Sequence, residues 1–157
     1  MQKQLIFGMI RSLHDLFTAF WIGGMLTTGF AFLPIVQNAG AEPKLKNKLL
    51  KFYQSKLRVV GLISIGVLWI TGLLLSKQAG GISGFLCFAA PYHTLISIKH
   101  LVVFMMIVIG GYRGFILGQK IEKFNQQEQK TYMLLLFINI VLGVAVIFLS
   151  GFGAALV

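Results

Sequence analysis

Charge is scarce in this chain. Asp, Glu, Lys and Arg make up only 11% of its 157 residues, against roughly 25% in a soluble domain. Acidic residues are rarer still: there are four, and the formal net charge is +10. One cysteine, Cys87, excludes an internal disulfide and leaves the redox compartment undefined. No CxxC, CxxCH, Walker loop, HExxH or GxSxG occurs. That disfavours c-type haem attachment, nucleotide-driven pumping and the ordinary hydrolases.

What fills the space is hydrocarbon. Hydrophobic residues are 57% of the chain and the mean hydropathy is +0.83. Four apolar stretches, about 13–36, 59–76, 95–117 and 133–157, take up most of the length. A helix needs ~20 residues to cross a bilayer, and each stretch supplies close to that. The expected fold is all-α: a single transmembrane domain over 1–157, an up-and-down four-helix bundle with short loops. Small residues at "NAGA" (38–41) loosely fit a cleavage site. The first apolar run is too long for a signal-peptide core of 7–15 residues, so it is expected to be a retained span.

The positive charges are placed like those of a membrane protein, not a nucleic-acid binder. Lys44, Lys46, Lys48, Lys51, Lys56 and Arg58 cluster between the first two stretches, and Arg113, Lys120, Lys123 and Lys130 mark the third connection. Short basic loops follow the positive-inside rule and meet anionic lipid head groups. With both loops in the cytoplasm, both termini lie outside an inner or plasma membrane. Leu45, Leu49, Leu50 and Phe52 among the first lysines predict a basic interfacial helix leading into the second span. The glycine-rich segment 77–94, broken by Pro91, is expected to form a lid over the outer end.

That topology brings the three histidines to one side of the membrane. His14 opens the first span, His100 lies beside Lys99 in the third, and His93 precedes them. Ionisable groups inside spans mark functional sites by default. Arg11 and Asp15 stand four apart, so an ion pair is the simpler account of Asp15; orienting a neighbouring ligand or taking part in proton transfer is the alternative. His14, Phe17, Thr18, Trp21, Met25 and Thr28 share one helix face. His100, Phe104, Ile107, Gly111 and Gly114 share another, with Lys99, Val103, Met106, Gly110 and Arg113 beside it. Ordinary packing is the simpler account of the aromatic stripe and of Gly110 and Gly114; a slot for a flat ring is the alternative. Asn139 is expected to make a helix-to-helix hydrogen bond near the start of the fourth span.

Three segments carry a family resemblance: "LHDLFTAFWIGG" (13–24), "RVVGLISIGVLWITGLLLS" (58–76) and "ISIKHLVVFMMIVIGGYRG" (96–114). In order and spacing they resemble the four-helix membrane proteins that include copper-resistance D (CopD) proteins and HemJ-type protoporphyrinogen oxidases. The resemblance implies haem or copper at His14 and, in the HemJ branch, a role for Lys99 with haem b. Leu33-Pro34 comes later than in the HemJ pattern and lacks the arginine that follows it there. An oxidoreductase activity, HemJ-like or quinone-linked, is the enzymatic expectation if there is one.

Two histidines on parallel helices suit bis-imidazole haem b, whose filled coordination sphere favours electron transfer over oxygen activation. The leading expectation is therefore haem b near the outer face, with metal ligands His14 and His100, and with Lys99, Trp21 and Phe104 beside the cofactor. A quinone or a partner membrane subunit would exchange the electrons. The first alternative is a copper carrier using His14, His100, Met25 and His93. Met25 lies ~16 Å along the helix from His14 at ~1.5 Å per residue, so these residues would form a relay rather than one site. The second alternative is a structural small subunit of a larger membrane complex.

Overall fold

A computed structural model describes residues 2–38, 40, 42–78, 91–121 and 124–155. Among them there is no strand, and four helical stretches are long and apolar enough to cross a membrane. The protein is an all-α, four-helix integral membrane bundle. α1 spans Gln2–Thr27 and α2 Leu33–Asn38, joined by a π-helical turn, Thr28–Phe32. α3 spans Pro43–Gln78, α4 Pro91–Gly111 followed by a second π-helical turn, Tyr112–Leu117, and α5 Gln126–Ala155.

Each helical stretch begins before its apolar run, for local reasons. α3 and α4 open at prolines, whose missing N–H costs nothing in a first turn. The basic segment expected to lie in the interface is helical but continuous with the second span, so Lys44 and Ser76 share one rod. α5 starts seven residues before the expected 133 because Asn125 and Glu128 form a reciprocal cap. The Glu128 N–H donates to Asn125 Oδ1 at 2.8 Å, and the Asn125 N–H donates to Glu128 Oε2 at 3.0 Å. The first π-helical turn lies just before Pro34, which has no N–H to continue the α ladder. There the Leu33 N–H donates to the Thr28 carbonyl, five residues back.

α1 packs along α3 and α4 along α5, with α1 against α5 joining the two pairs. The α3 rod meets the end of the α4 stretch at the second π-helical turn. Ile22, Met25, Met106, Leu136, Ile140 and Val146 form the middle of the core. Gly143 makes that contact possible: a Cβ there would sit 3.2 Å from Ile22 Cγ2 and 3.3 Å from Met106 Cε. Asn139 makes the expected interhelical bond, Nδ2 donating to the Met106 carbonyl at 3.3 Å, though from the middle of α5 and not its start. Gly110 lies against the same amide, its missing Cβ 3.3 Å from Asn139 Nδ2. At that position the glycine stripe serves helix packing.

Candidate functional site

Polar side chains gather at two ends of this apolar bundle. At one end, half-buried His14 on α1 faces Thr71 near the end of α3, with Nδ1 and Oγ1 2.8 Å apart. The tautomer follows from the rest of the hydroxyl's bonding. Thr71 gives its proton to the Val67 carbonyl at 2.7 Å, with Leu68 at 3.3 Å. It therefore accepts from His14, whose proton is on Nδ1. Nε2 is left as the unprotonated nitrogen. Gly72 lies beside the ring: a Cβ there would make an ordinary contact, 3.7 Å from His14 Cε1.

Lys99 and His100 on α4, and Asp15 beside it on α1, are neighbours of His14. Lys99 in turn feels Asp15 and Arg11. Arg11 and Asp15 are both exposed. The spatial convergence expected of His14, Lys99 and His100 is therefore present, drawn from α1 and α4.

The two α4 residues are placed differently. The stripe turned into the bundle is that of Lys99, Val103, Met106, Gly110 and Arg113, with Met106 fully buried. His100 and Phe104 lie on the exposed side, Phe104 at 60% exposure. The His100 ring donates from Nδ1 to the Ile96 carbonyl at 2.7 Å. His93 is half-buried at the start of α4. Trp21 packs against the central core, and Met25 is 3% exposed below it. Among the described residues, no group of three or more His, Cys, Asp or Glu could hold a metal ion. Most of segment 77–94, the expected lid, falls on 79–90, outside the described residues.

The opposite end carries a second constellation. The Tyr132 hydroxyl on α5 donates to Gln54 Oε1 on α3 at 2.6 Å. Arg113, 6% exposed, reaches the Tyr132 oxygen with Nη1 at 3.4 Å and stacks its guanidinium 5.2 Å over that ring. Arg58 approaches the Gly114 carbonyl at 3.4 Å. Tyr53 stacks on Phe32 with ring centroids 3.7 Å apart, tying α3 to the first π-helical turn. Sequence reasoning placed Arg113 among the loop charges and on the stripe beside His100, and passed over Gln54 and Tyr132. A buried arginine is rare, but its burial depends on the π-helical turn, which nothing in the local pattern announces.

The family model for copper resistance protein D, CopD, matches residues 54–152, more than half of the chain. The chain belongs to the CopD family. The matched stretch of this CopD-family protein takes in most of α3, all of α4 and nearly all of α5, with Thr71, Lys99, His100 and the Arg113 constellation. His14, on α1, lies before it. No curated protein and no solved structure matches the chain.

Proposed function

We propose that this CopD-family membrane protein binds copper as cargo at the His14 end of the bundle and passes it toward the interior. Family membership supports copper handling at the coarse level. The observation that carries the reading to a residue is the 2.8 Å bond from His14 to Thr71. Metal-binding imidazoles characteristically donate their second nitrogen to a fixed acceptor, which aims the ligating lone pair and raises its basicity. His14 is held in that way by Thr71, and His100 by Ile96.

The donor set fits copper. Imidazole suits the metal in either oxidation state, and the buried thioether of Met25 suits Cu(I). Two imidazoles with the Lys99 amine nearby make a sparse site, and a sparse site releases its ion more readily than a closed three- or four-ligand cage. Transfer, not storage, is the consistent role. By the positive-inside rule this end faces outward, with both termini outside.

A haem b reading draws on the same His14 nitrogen, with Lys99 or His100 on α4 as the second ligand and electron transfer as the role. One experiment separates the readings: metal analysis and an oxidised-minus-reduced absorbance spectrum on a single purified sample. Bound copper that is lost in His14→Ala supports the proposal. Soret and α bands with stoichiometric iron move the assignment to haem b. A sample that stays colourless and metal-free after copper and haem are supplied overturns both and leaves a structural subunit.

A further inference from the structure

We propose that Gln54, Tyr132 and Arg113 form a gate that shuts the end of the bundle opposite His14 and opens to let cargo leave. That the cargo is copper rests on the reading above; the gate itself rests on the packing. All four spans meet in this group. α3 supplies Gln54, α5 supplies Tyr132, and the π-helical turn after α4 supplies Arg113. From the turn after α1, Thr28 Oγ1 lies 3.5 Å from the hydroxyl of Tyr53, which precedes Gln54 in sequence and neighbours Tyr132 in space. Thr28, Gln54, Arg113 and Tyr132 are each at most 6% exposed. About one turn further from His14, Leu33, Leu50 and Leu117 are buried as well. A cargo ion passes so closely packed a layer only if side chains move.

Polar groups are a poor material for a permanent plug, since apolar side chains of similar volume are often as stable or more so. Their bonds here suit a movable one. The Tyr132–Gln54 bond is short, at 2.6 Å. Arg113, by contrast, meets Tyr132 at 3.4 Å, and its Nε has no partner among the described residues. While the group is shut, the Arg113 charge also opposes the passage of cations.

The backbone interruptions coincide with the same layer. Thr28 and Arg113 each carry the carbonyl that closes a π-helical turn. The Leu33 N–H donates to Thr28, and the Gly118 N–H donates to Arg113 at 2.8 Å, five residues on in both cases. Such turns break the α ladder, recur at functional sites and give a helix a place to bend. The second depends on a glycine: a Cβ on Gly118 would sit 2.5 Å from the Gly114 carbonyl oxygen. The two helices that bring Thr28 and Arg113 to the gate therefore each have a hinge beside it.

The test reads solvent access just behind the gate. Leu136 is fully buried, one turn along α5 from Tyr132 toward the middle of the bundle. The full chain carrying Leu136→Cys in a Cys87→Ser background is purified in detergent, and its reaction with a charged methanethiosulfonate is timed. Labelling of that protein is expected to be slow. Gly118→Ala, which disrupts the second turn, and Tyr132→Phe, which removes the short bond, should each speed it about tenfold or more. Gly111→Ala, on α4 with nothing within 4 Å of its Cβ, should leave the rate unchanged. Each protein is assayed below its own unfolding transition, so that global unfolding does not enter the rate. If one gate variant does not fold, the other carries the test.

Fast labelling before any gate change overturns the proposal. So do rates in Gly118→Ala and Tyr132→Phe no higher than in Gly111→Ala. No metal takes part in the labelling, which keeps this outcome separate from that of the copper reading. A protein that binds no copper and still shows the expected pattern loses the copper reading and keeps the gate.

Discussion

Thr71 and His14, 57 residues apart in the chain, are joined by a bond in which the imidazole donates and the hydroxyl accepts. The direction of that bond decides which nitrogen of His14 can meet a ligand, and it ties the last third of α3 to the first half of α1. Removing the hydroxyl while keeping the shape should release the ring. Thr71→Val is expected to weaken copper binding by roughly 10- to 100-fold, the usual cost of losing such a supporting partner. Thr71→Ser should restore most of it. Copper titration of the three proteins measures this, and equal affinities would show that the hydroxyl does not aim His14.

Tyr132 and Gln54 offer a stability test without a ligand. Tyr132→Phe removes the donor and leaves the Gln54 amide oxygen buried without it. Stranding one buried acceptor costs about 1–3 kcal/mol, so thermal unfolding in detergent should shift down clearly. An unmoved transition would mean that water or lipid satisfies the amide equally well.

Gly143 and Gly66 should behave oppositely although both lie within spans. At Gly143 a Cβ is already at 3.2 Å from Ile22, whereas at Gly66 nothing lies within 4 Å. Gly143→Leu is expected to push α1 and α4 away from α5 and to cost about 1–3 kcal/mol or more, as overpacking does. Gly66→Ala should leave unfolding unchanged or slightly improved. Parallel thermal melts check the pair.

Asn139 combines one weak interhelical bond with an oxygen that has no partner in the described structure. Interhelical side-chain bonds in membranes average only about 0.6 kcal/mol, and removing Asn139 also removes the unsatisfied oxygen. Asn139→Leu should therefore change stability by less than about 1 kcal/mol, measured by equilibrium unfolding in mixed micelles. A large loss would mean that the amide does more than pack α5 on α4.

The number of spans and the inward face of α1 were legible in the sequence because both rest on composition and 3.6-residue periodicity. His14, Phe17, Thr18, Trp21, Met25 and Thr28 do line the packed side, buried or half-buried throughout. Asn139 was legible as an interhelical donor because a lone amide in hydrocarbon has few other partners. The Asn125–Glu128 cap was written in the sequence too, as Asn-x-x-Glu, and would have set the start of α5 correctly.

Which side of α4 turns inward was not legible. In a membrane helix the lipid-facing and core-facing residues are both apolar, so the hydrophobic pattern has little contrast to report. Only tertiary packing turned Lys99 and Met106 inward and left His100 and Phe104 on the exposed side. The same holds for the Arg113, Tyr132 and Gln54 group, whose members are brought together across up to 78 residues by a π-helical turn and two helix contacts. Composition and periodicity by themselves determined a four-helix membrane bundle with a histidine at its mouth, because the hydrophobic effect acts on each segment alone. The partner of that histidine and the burial of an arginine at the other end depend on contacts between segments, and only the assembled bundle decided them.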